Sequence, residues 1–275
     1  MKTLIRIFFL HLLVIWAFAC ASDIDGYEQS IDNKHIKSVS SYGQVRAQYF
    51  YDNAGKIREI KGKYSYQKFL YDNNNRLMKV EYAADEAFDV NSVFSSSLQP
   101  PGAEIKPSGK YKISHYKLFK YDNQGQLSKI EHHFMMNGKN FELRSISTFE
   151  HEGKLIKKEN LCDETGKINQ YYVFAYDKNG NLINIKNYSN LFGDTNKLIY
   201  ETSYEYDSFE NPFMILNILG SPSFYHTSAN NMIKITTTFH TNDPRTEIAT
   251  QIFDYNNLGY PIKMTYEGGE EEYTY

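Results

Sequence analysis

The sequence predicts an all-β protein: a long antiparallel meander of repeated hairpins, strongly curved or rolled into an open or closed barrel-like sheet. A short turn pattern with aromatic flanks recurs from near residue 49 almost to the C-terminus. Further hairpin signals, Asn137-Gly138, Gly268-Gly269 and Asn242-Asp243-Pro244-Arg245, lie between the copies. Aromatics make up 16% of 275 residues, 24 of them Tyr, at a mean hydropathy of −0.57. That composition suits broad half-exposed sheet faces, on which Tyr covers apolar area and keeps its hydroxyl wet.

The chain begins with Lys2 and Arg6 ahead of an apolar run from Ile7 to Ala19, broken only by His11. This is the shape of a secretory signal peptide over residues 1–19, too short for a comfortable membrane span. Ala17-Phe18-Ala19-Cys20 resembles a bacterial lipobox, which implies lipidation of Cys20; Phe18 is an unusual occupant. Ordinary signal-peptidase cleavage within Ala19-Cys20-Ala21-Ser22 is the alternative. Removing residues 1–19 takes away Lys2 and Arg6 and leaves 28 basic against 33 acidic residues, a net charge of −5. No basic excess recruits nucleic acid or an anionic membrane. Cys20 and Cys162 are the only cysteines, so no internal disulfide is expected. Nothing around Cys162 suggests thiolate activation, and it reads as a strand or turn residue. Residues 20–34, rich in Asp, Ser, Gln and Asn, read as a solvated, lipid-anchored tether.

Residues 35–275 then form one β domain, a size that buries a sizeable core. The copies of the turn begin at Tyr51-Asp52, Tyr71-Asp72, Tyr121-Asp122, Phe149-Glu150, Tyr176-Asp177, Tyr206-Asp207 and Tyr255-Asn256. Two residues earlier stand Tyr49, Phe69, Phe119, Ser147, Phe174, Tyr204 and Phe253. An aromatic-x-aromatic spacing places both rings on one face of a strand. Four residues after the aromatic comes Gly55, Asn75, Gly125, Gly153, Gly180 or Gly259, and two further on Ile57, Leu77, Leu127, Leu155 or Leu182. Asp bonds its own downstream backbone, and Gly or Asn tolerates the positive φ that returns the chain into register. The sixth copy departs, with Glu210 before Asn211-Pro212, and the last carries Pro261; both prolines suggest a shifted or edge pairing.

Apolar residues recur three apart after the turns, as in Ile57 and Ile60, Leu77 and Val80, Leu127 and Ile130, Leu182 and Ile185. Either both sheet faces are partly covered or a repeated bulge intervenes. All turns together give roughly sixteen strands, and a sheet that wide must curl, split or close as twist accumulates. Two segments rich in Ser, Pro and Gly, residues 83–110 and 218–230, interrupt the repeats as loop insertions. Loops of this kind carry binding function when a rigid sheet presents them; otherwise they are tolerated surface insertions.

The turn pattern resembles the YD repeats of RHS-type proteins, Tyr-x-Tyr-Asp-x-x-Gly-x-Leu, over roughly residues 45–275. The later part, from Tyr204-Glu205-Tyr206-Asp207 through Asn230-Asn231-Met232-Ile233 to Tyr255-Asn256-Asn257-Leu258-Gly259, is similar to small Gram-negative lipoproteins whose domain of unknown function has a porin-like fold. The first resemblance implies hairpins of the kind that large RHS proteins wind into a hollow shell, although seven copies are too few to enclose a cargo. The second implies an outer-membrane lipoprotein of the cell envelope.

Candidate chemistry is sparse. Asp52, Asp72, Asp122, Asp177 and Asp207 supply carboxylates, and glycoside hydrolysis needs two across one bond, but their place in a turn motif explains them. His132-His133 and His151 lack metal-ligand spacing, and neighbouring strand residues face opposite ways. No phosphate loop, nucleophile elbow or cysteine–histidine pattern is present, so neither enzymatic activity nor a cofactor is expected. The expectation is a binding or interaction scaffold, for glycan or envelope-protein ligands, attached to the membrane only through its lipid; a purely structural envelope protein or RHS-related shell fragment is the alternative. Lys120, Glu201, Glu205, Lys234 and Lys263 within the strands weigh against a lipid-facing barrel, unless their polar faces line a lumen.

Overall fold

The computed structural model describes residues 35–86, 108–190, 196–214 and 226–275. The signal peptide, Cys20, the tether and most of both insertions lie outside the described residues. Sixteen strands are formed: β1 (Ser38–Ser41), β2 (Gln44–Tyr51), β3 (Ile57–Lys61), β4 (Ser65–Tyr71), β5 (Leu77–Asp85), β6 (Tyr111–Tyr121), β7 (Leu127–Met136), β8 (Asn140–Glu152), β9 (Leu155–Asp163), β10 (Ile168–Tyr176), β11 (Leu182–Ser189), β12 (Lys197–Glu210), β13 (Asn230–Phe239), β14 (Arg245–Tyr255), β15 (Pro261–Tyr266) and β16 (Gly269–Thr274). Each pairs antiparallel with its sequence neighbours, and β1 pairs with β16 to close a barrel.

The repeat turns share one geometry. In the first, the Asp52 backbone N–H donates to Lys56 O (2.8 Å) and Gly55 N–H to Asp52 O (2.9 Å). The Asp52 carboxylate meanwhile accepts the Ala54 and Lys56 N–H groups at 3.0 and 2.9 Å. Asp72, Asp122 and Asp177 repeat both features, and Asn256 does the same with its amide oxygen. The fourth position is left-handed throughout, from φ +62° at Asn75 to +85° at Gly180.

Just beyond each turn the register slips by one. Tyr71 pairs with Leu77 while Leu70 pairs with Lys79, leaving Met78 as an extra residue. The same slip leaves out Arg58, Ser128, Lys157, Ile183, Ile233 and Ile262. A bulge of this kind is the reason apolar residues recur three apart: Leu77 and Val80 both reach the inner face, and both are buried.

One sheet face is buried, with Val39, Tyr49, Phe69, Val80, Phe119, Ile130, Phe149, Phe174, Met264 and Tyr273 on it. The alternate residues form an outer wall crossed by ion pairs, including Lys79–Glu81, Lys129–Glu131, Lys158–Glu150, Lys186–Glu201, Lys234–Glu205 and Lys263–Glu270. Most charged strand residues lie outside and most repeat aromatics inside, although Tyr116 and Tyr171 stack on the outer wall and Ser147, Glu159, Asn187 and Thr202 are buried.

Three sequence expectations shift. The first insertion starts later than residue 83, because β5 runs to Asp85, whose buried carboxylate accepts the Ser108 and Gly109 N–H groups at 3.0 and 2.9 Å. The fourth copy is displaced by two residues: His151, not Phe149, pairs with the post-turn residue Ile156, and Phe149 takes the position of Phe69. Its turn at Gly153 is correspondingly tight, with Glu152 facing Leu155 and the Glu150 side chain held by Lys158 at 2.8 Å. An unforeseen copy of the aspartate turn stands at Asp163-Glu164-Thr165-Gly166, where the carboxylate accepts the Thr165 and Lys167 N–H groups.

Gly180 has open space where a Cβ would sit, so the strain of the left-handed backbone alone decides the effect of a side chain there. Gly180→Val should lower unfolding free energy by about 1–2 kcal/mol in denaturant titration; an unchanged midpoint would count against the turn geometry.

Candidate functional site at the turn-bearing rim

Because the chain meanders, alternate connections share a rim. The turns after Asp52, Asp72, Asp122, His151, Asp177 and Tyr255, the β12–β13 connection, Lys37 and the terminal Tyr275 all lie at one end, and the Asp163 turn lies at the other. At the first rim the repeat tyrosines act together. Each hydroxyl donates to a backbone carbonyl on the preceding strand: Tyr51 to Ile36 (2.9 Å), Tyr71 to Ile57 (2.8 Å), Tyr121 to Leu77 (2.8 Å), Tyr176 to Ile156 (2.8 Å), Tyr206 to Leu182 (2.6 Å) and Tyr275 to Pro261 (2.8 Å). These strand pairs are joined by loops only at the far rim, so each tyrosine fastens a mouth that the chain itself leaves open. Burial raises the hydroxyl pKa of Tyr51, Tyr176, Tyr206 and Tyr275, which keeps them as donors. Arg58 lies over the Tyr71 ring and Arg76 over the Tyr121 ring, 4.9 and 4.7 Å from the centroids.

Two positions break this ring. Tyr255 donates instead to the carboxylate of Asp207. Asp207 itself accepts the N–H groups of Phe209 (3.0 Å) and Asn231 (3.1 Å), so it organises the β12–β13 junction rather than a repeat turn. Phe209 stacks on Tyr255 at 4.1 Å and fills the space beside Gly259. The second break is at His151, and no tyrosine reaches Leu127, the carbonyl that the series would offer next.

The described ends of the connection between β12 and β13, residues 211–214 and 226–229, turn inward. Phe213 packs edge-on to Tyr273 of β16 (5.5 Å, 80°) within the core, whereas Thr227 lines a cavity with residues of β5 to β10. The described parts of the segment therefore reach opposite walls. Polar side chains stitch it in place: Asn211 Nδ2 donates to Ser228 O (2.9 Å), the Leu182 N–H to Ser228 Oγ (3.1 Å), Ser228 Oγ to Tyr206 Oη (2.8 Å), and the Asn230 N–H to Asn181 Oδ1 (3.0 Å). Residues 226–230, expected within a surface insertion, are thus drawn inward, with Ser228 fully buried. From sequence, Asn181 and Asn211 read only as turn residues and Ser228 only as part of an insertion; their partners lie up to 49 residues away.

The cavity has a volume of about 550 Å³. Leu77, Leu127, Ile156, Tyr121 and Tyr176 form its floor, with Arg76, Gln124, Gln126, His151 and Lys154 around it. It lies at the β7–β8 mouth, where the tyrosine is missing. Deeper in the lumen, His115 stacks between Tyr82 (4.4 Å) and Phe134 (5.1 Å). Burial, followed by the nearby Lys117 charge, holds His115, His132 and His226 at a pKa of about 4, so all three are neutral at pH 7. His133 stacks on Tyr116 of the outer wall, opposite in direction to His132. Among the described residues no group of His, Cys, Asp and Glu is placed to hold a metal ion. Cys162 is buried, and burial raises its thiol pKa.

The carboxyls of Asp52, Asp72, Asp163 and Asp177 have lowered pKa values. At Asp72 the Arg76 backbone bond leads the lowering, and at Asp163 the Thr165 hydroxyl does. At Asp52 and Asp177 burial opposes the shift and is outweighed by hydrogen bonds from the following turn residues. These are anions committed to backbone donors, a state unsuited to general-acid work.

No protein family matches the chain, and no curated protein matches it. Solved structures do. A porin-like protein from Bacteroides vulgatus is 10% identical, covers 88% of this chain and 98% of its own, and superposes with a TM-score of 0.50. A porin-like protein from Bacteroides uniformis is 9% identical over 86% of this chain and 91% of its own, with a TM-score of 0.45. A chain of the Photorhabdus luminescens Tc holotoxin pore is 13% identical over 81% of this chain and 12% of its own, at 0.27. The likeness to the Bacteroides vulgatus protein is one of fold.

Two outcomes follow from the rim. Tyr71→Phe removes one hydroxyl bond and should cost about 0.5–1.5 kcal/mol of stability, measured by denaturant unfolding; no change would show the tyrosine contact to be idle. The carboxyls with lowered folded pKa values contribute stability that is fully present above about pH 4 and lost as pH falls through those folded values. The melting temperature should therefore be flat near neutrality and drop steeply below about pH 4, and the drop should be shallower in Asp177→Asn.

Proposed function

We propose that this protein is a non-catalytic binding scaffold of the cell envelope, tethered to the outer membrane through acyl chains on Cys20 while its barrel stands in water. The observation that carries this reading is the polarity of the wall. A transmembrane barrel turns an uncharged apolar band outward; the outer wall of this barrel carries charged pairs within its strands, beside exposed apolar residues such as Val173, Ile248 and Ile252. Lys158, Lys186, Lys234 and Lys263 stand on the outer wall within their strands, each beside a carboxylate. A lysine facing lipid costs about 2–4 kcal/mol at the bilayer midplane and about 0–1 kcal/mol near the interfaces, so charged pairs spread along these strands disfavour a lipid-facing wall. Strand length is divided: β5–β10 and β12–β14 have 9–14 residues, enough for the about 9–11 of a tilted spanning strand, whereas β1, β3, β15 and β16 have 4, 5, 6 and 6.

The inward-drawn β12–β13 segment supports binding over conduction. The commitment of the turn carboxylates to backbone donors supports a scaffold over an enzyme. The repeat chemistry of Tyr, Asp and Gly supports kinship with RHS-type hairpin proteins, used here to build one small closed barrel. Ligands of such a scaffold are glycans or other envelope proteins, with no role for nucleic acid at a net charge of −5 after removal of residues 1–19.

Cell fractionation tests the reading. Wild type should pellet with membranes and Cys20→Ala should appear in the soluble fraction as a folded protein, with no channel conductance from either in planar bilayers. Membrane retention of Cys20→Ala, or stepwise conductance, would refute it. Protease treatment of intact cells then distinguishes a surface from a periplasmic orientation.

A further inference from the structure

The cavity at the β7–β8 mouth exists because one member of the tyrosine ring is a histidine. In every intact mouth a repeat tyrosine crosses to the neighbouring carbonyl and fills the space over the inner apolar residue, as Tyr121 does over Leu77. At position 151 the turn is two residues long and the side chain is an imidazole. Among the described residues His151 has no hydrogen-bond partner, and Leu127 is left to form an open floor. The opening is kept by its neighbours: Gln126 Nε2 donates to Gly153 O across the two turns, and Tyr121 and Tyr176 on either side are each pinned by their own carbonyl bond. The walls are therefore set before any ligand arrives. The volume of about 550 Å³ falls within the range of small-molecule sites, about 300–1,000 Å³.

The lining specifies a class of ligand. Leu127, Leu155 and Ile156 offer an apolar patch beside two tyrosine rings, suited to the C–H face of a ring-shaped molecule. Asn75, Gln124 and Gln126 offer amide donors and acceptors for hydroxyl groups. The charged members are Arg76 and Lys154, with His151 beside them, and none of the lining residues is a carboxylate. Arg76 is partly neutralised by Asp72 at 2.8 Å. Lys154 makes no ion pair among the described residues and stands at the exposed lip, so it supplies the net positive charge. We infer that the unfastened β7–β8 mouth is a binding site for an acidic sugar, a hydroxylated ring carrying one carboxylate or sulfate group. This deepens the binding-scaffold reading and rests on it, but its test uses purified protein and is independent of the anchor, fractionation and conductance.

The experiment is calorimetric titration of the purified protein with digalacturonate, its methyl ester, galactose 6-sulfate and acetate. Digalacturonate should bind saturably, the uncharged ester at least about tenfold more weakly, the loss of one charge-assisted contact, and acetate alone should not bind detectably. Galactose 6-sulfate reports whether sulfate replaces carboxylate. Lys154→Gln, at an exposed position, should weaken digalacturonate binding to the level of the ester with an unchanged melting temperature. His151→Tyr should abolish binding while raising the melting temperature by about 2–4 °C, because a tyrosine refastens the mouth. Equal affinity for acid and ester, indifference to both substitutions, or binding of neither acidic sugar overturns the inference.

Discussion

The bulge one residue beyond each repeat turn is the constraint on which the rest of this barrel depends. It is a small event, the omission of Met78, Ile183 or Ile262 from pairing. Its consequence is that residues three apart, such as Leu77 and Val80, point the same way into the core. Repeated seven times near one rim, it bends the strands in one direction, and sixteen strands close upon themselves. The tyrosine paired with the residue just before the bulged one, as Tyr71 is with Leu77, then reaches back to fasten the mouth before it. Turn, bulge and tyrosine therefore act as one unit, and the aspartate carboxylate holds that unit at its tip.

The parts legible in the sequence are those decided within a dozen residues. Asp52-x-x-Gly55 specifies its turn through its own side chain and backbone, so the hairpins, their number and the inward aromatic face could be read directly. The displaced fourth copy misled because a Phe, an acid and a glycine happen to stand at repeat spacing from Phe149, while the shorter turn moves the structural equivalent to His151. The Asp163 turn went unseen because Asn160 and Cys162 stand where the two aromatics of the repeat would be. Barrel closure rests on Ser38 meeting Thr274, a pairing no local pattern announces. Residues 226–230 read as solvated from their Ser and Asn content, and Ser228 is buried because Leu182, Tyr206 and Asn211 supply its hydrogen-bond partners.

The rim and the wall divide the protein's work. The wall carries ion pairs along its outward face. The rim carries the irregularities: Asp207 diverted to hold an internal segment, and His151 leaving one mouth unfastened. In a repeat fold where each unit repeats the same bonds, a departure that leaves an ordered opening is where a function separates from the scaffold that presents it. A fold shared with a porin-like protein at 10% identity thus says less about activity than the direction its side chains face.

The most direct test of that direction is a nitroxide spin label on the outer wall at Val173→Cys, a position flanked by Lys158 and Lys186 across both neighbouring strands, with the protein in its native membrane. The label should be accessible to a water-soluble nickel relaxant and little affected by oxygen partitioned into lipid. Strong oxygen relaxation with exclusion of the nickel reagent would place this wall in the bilayer and contradict the account.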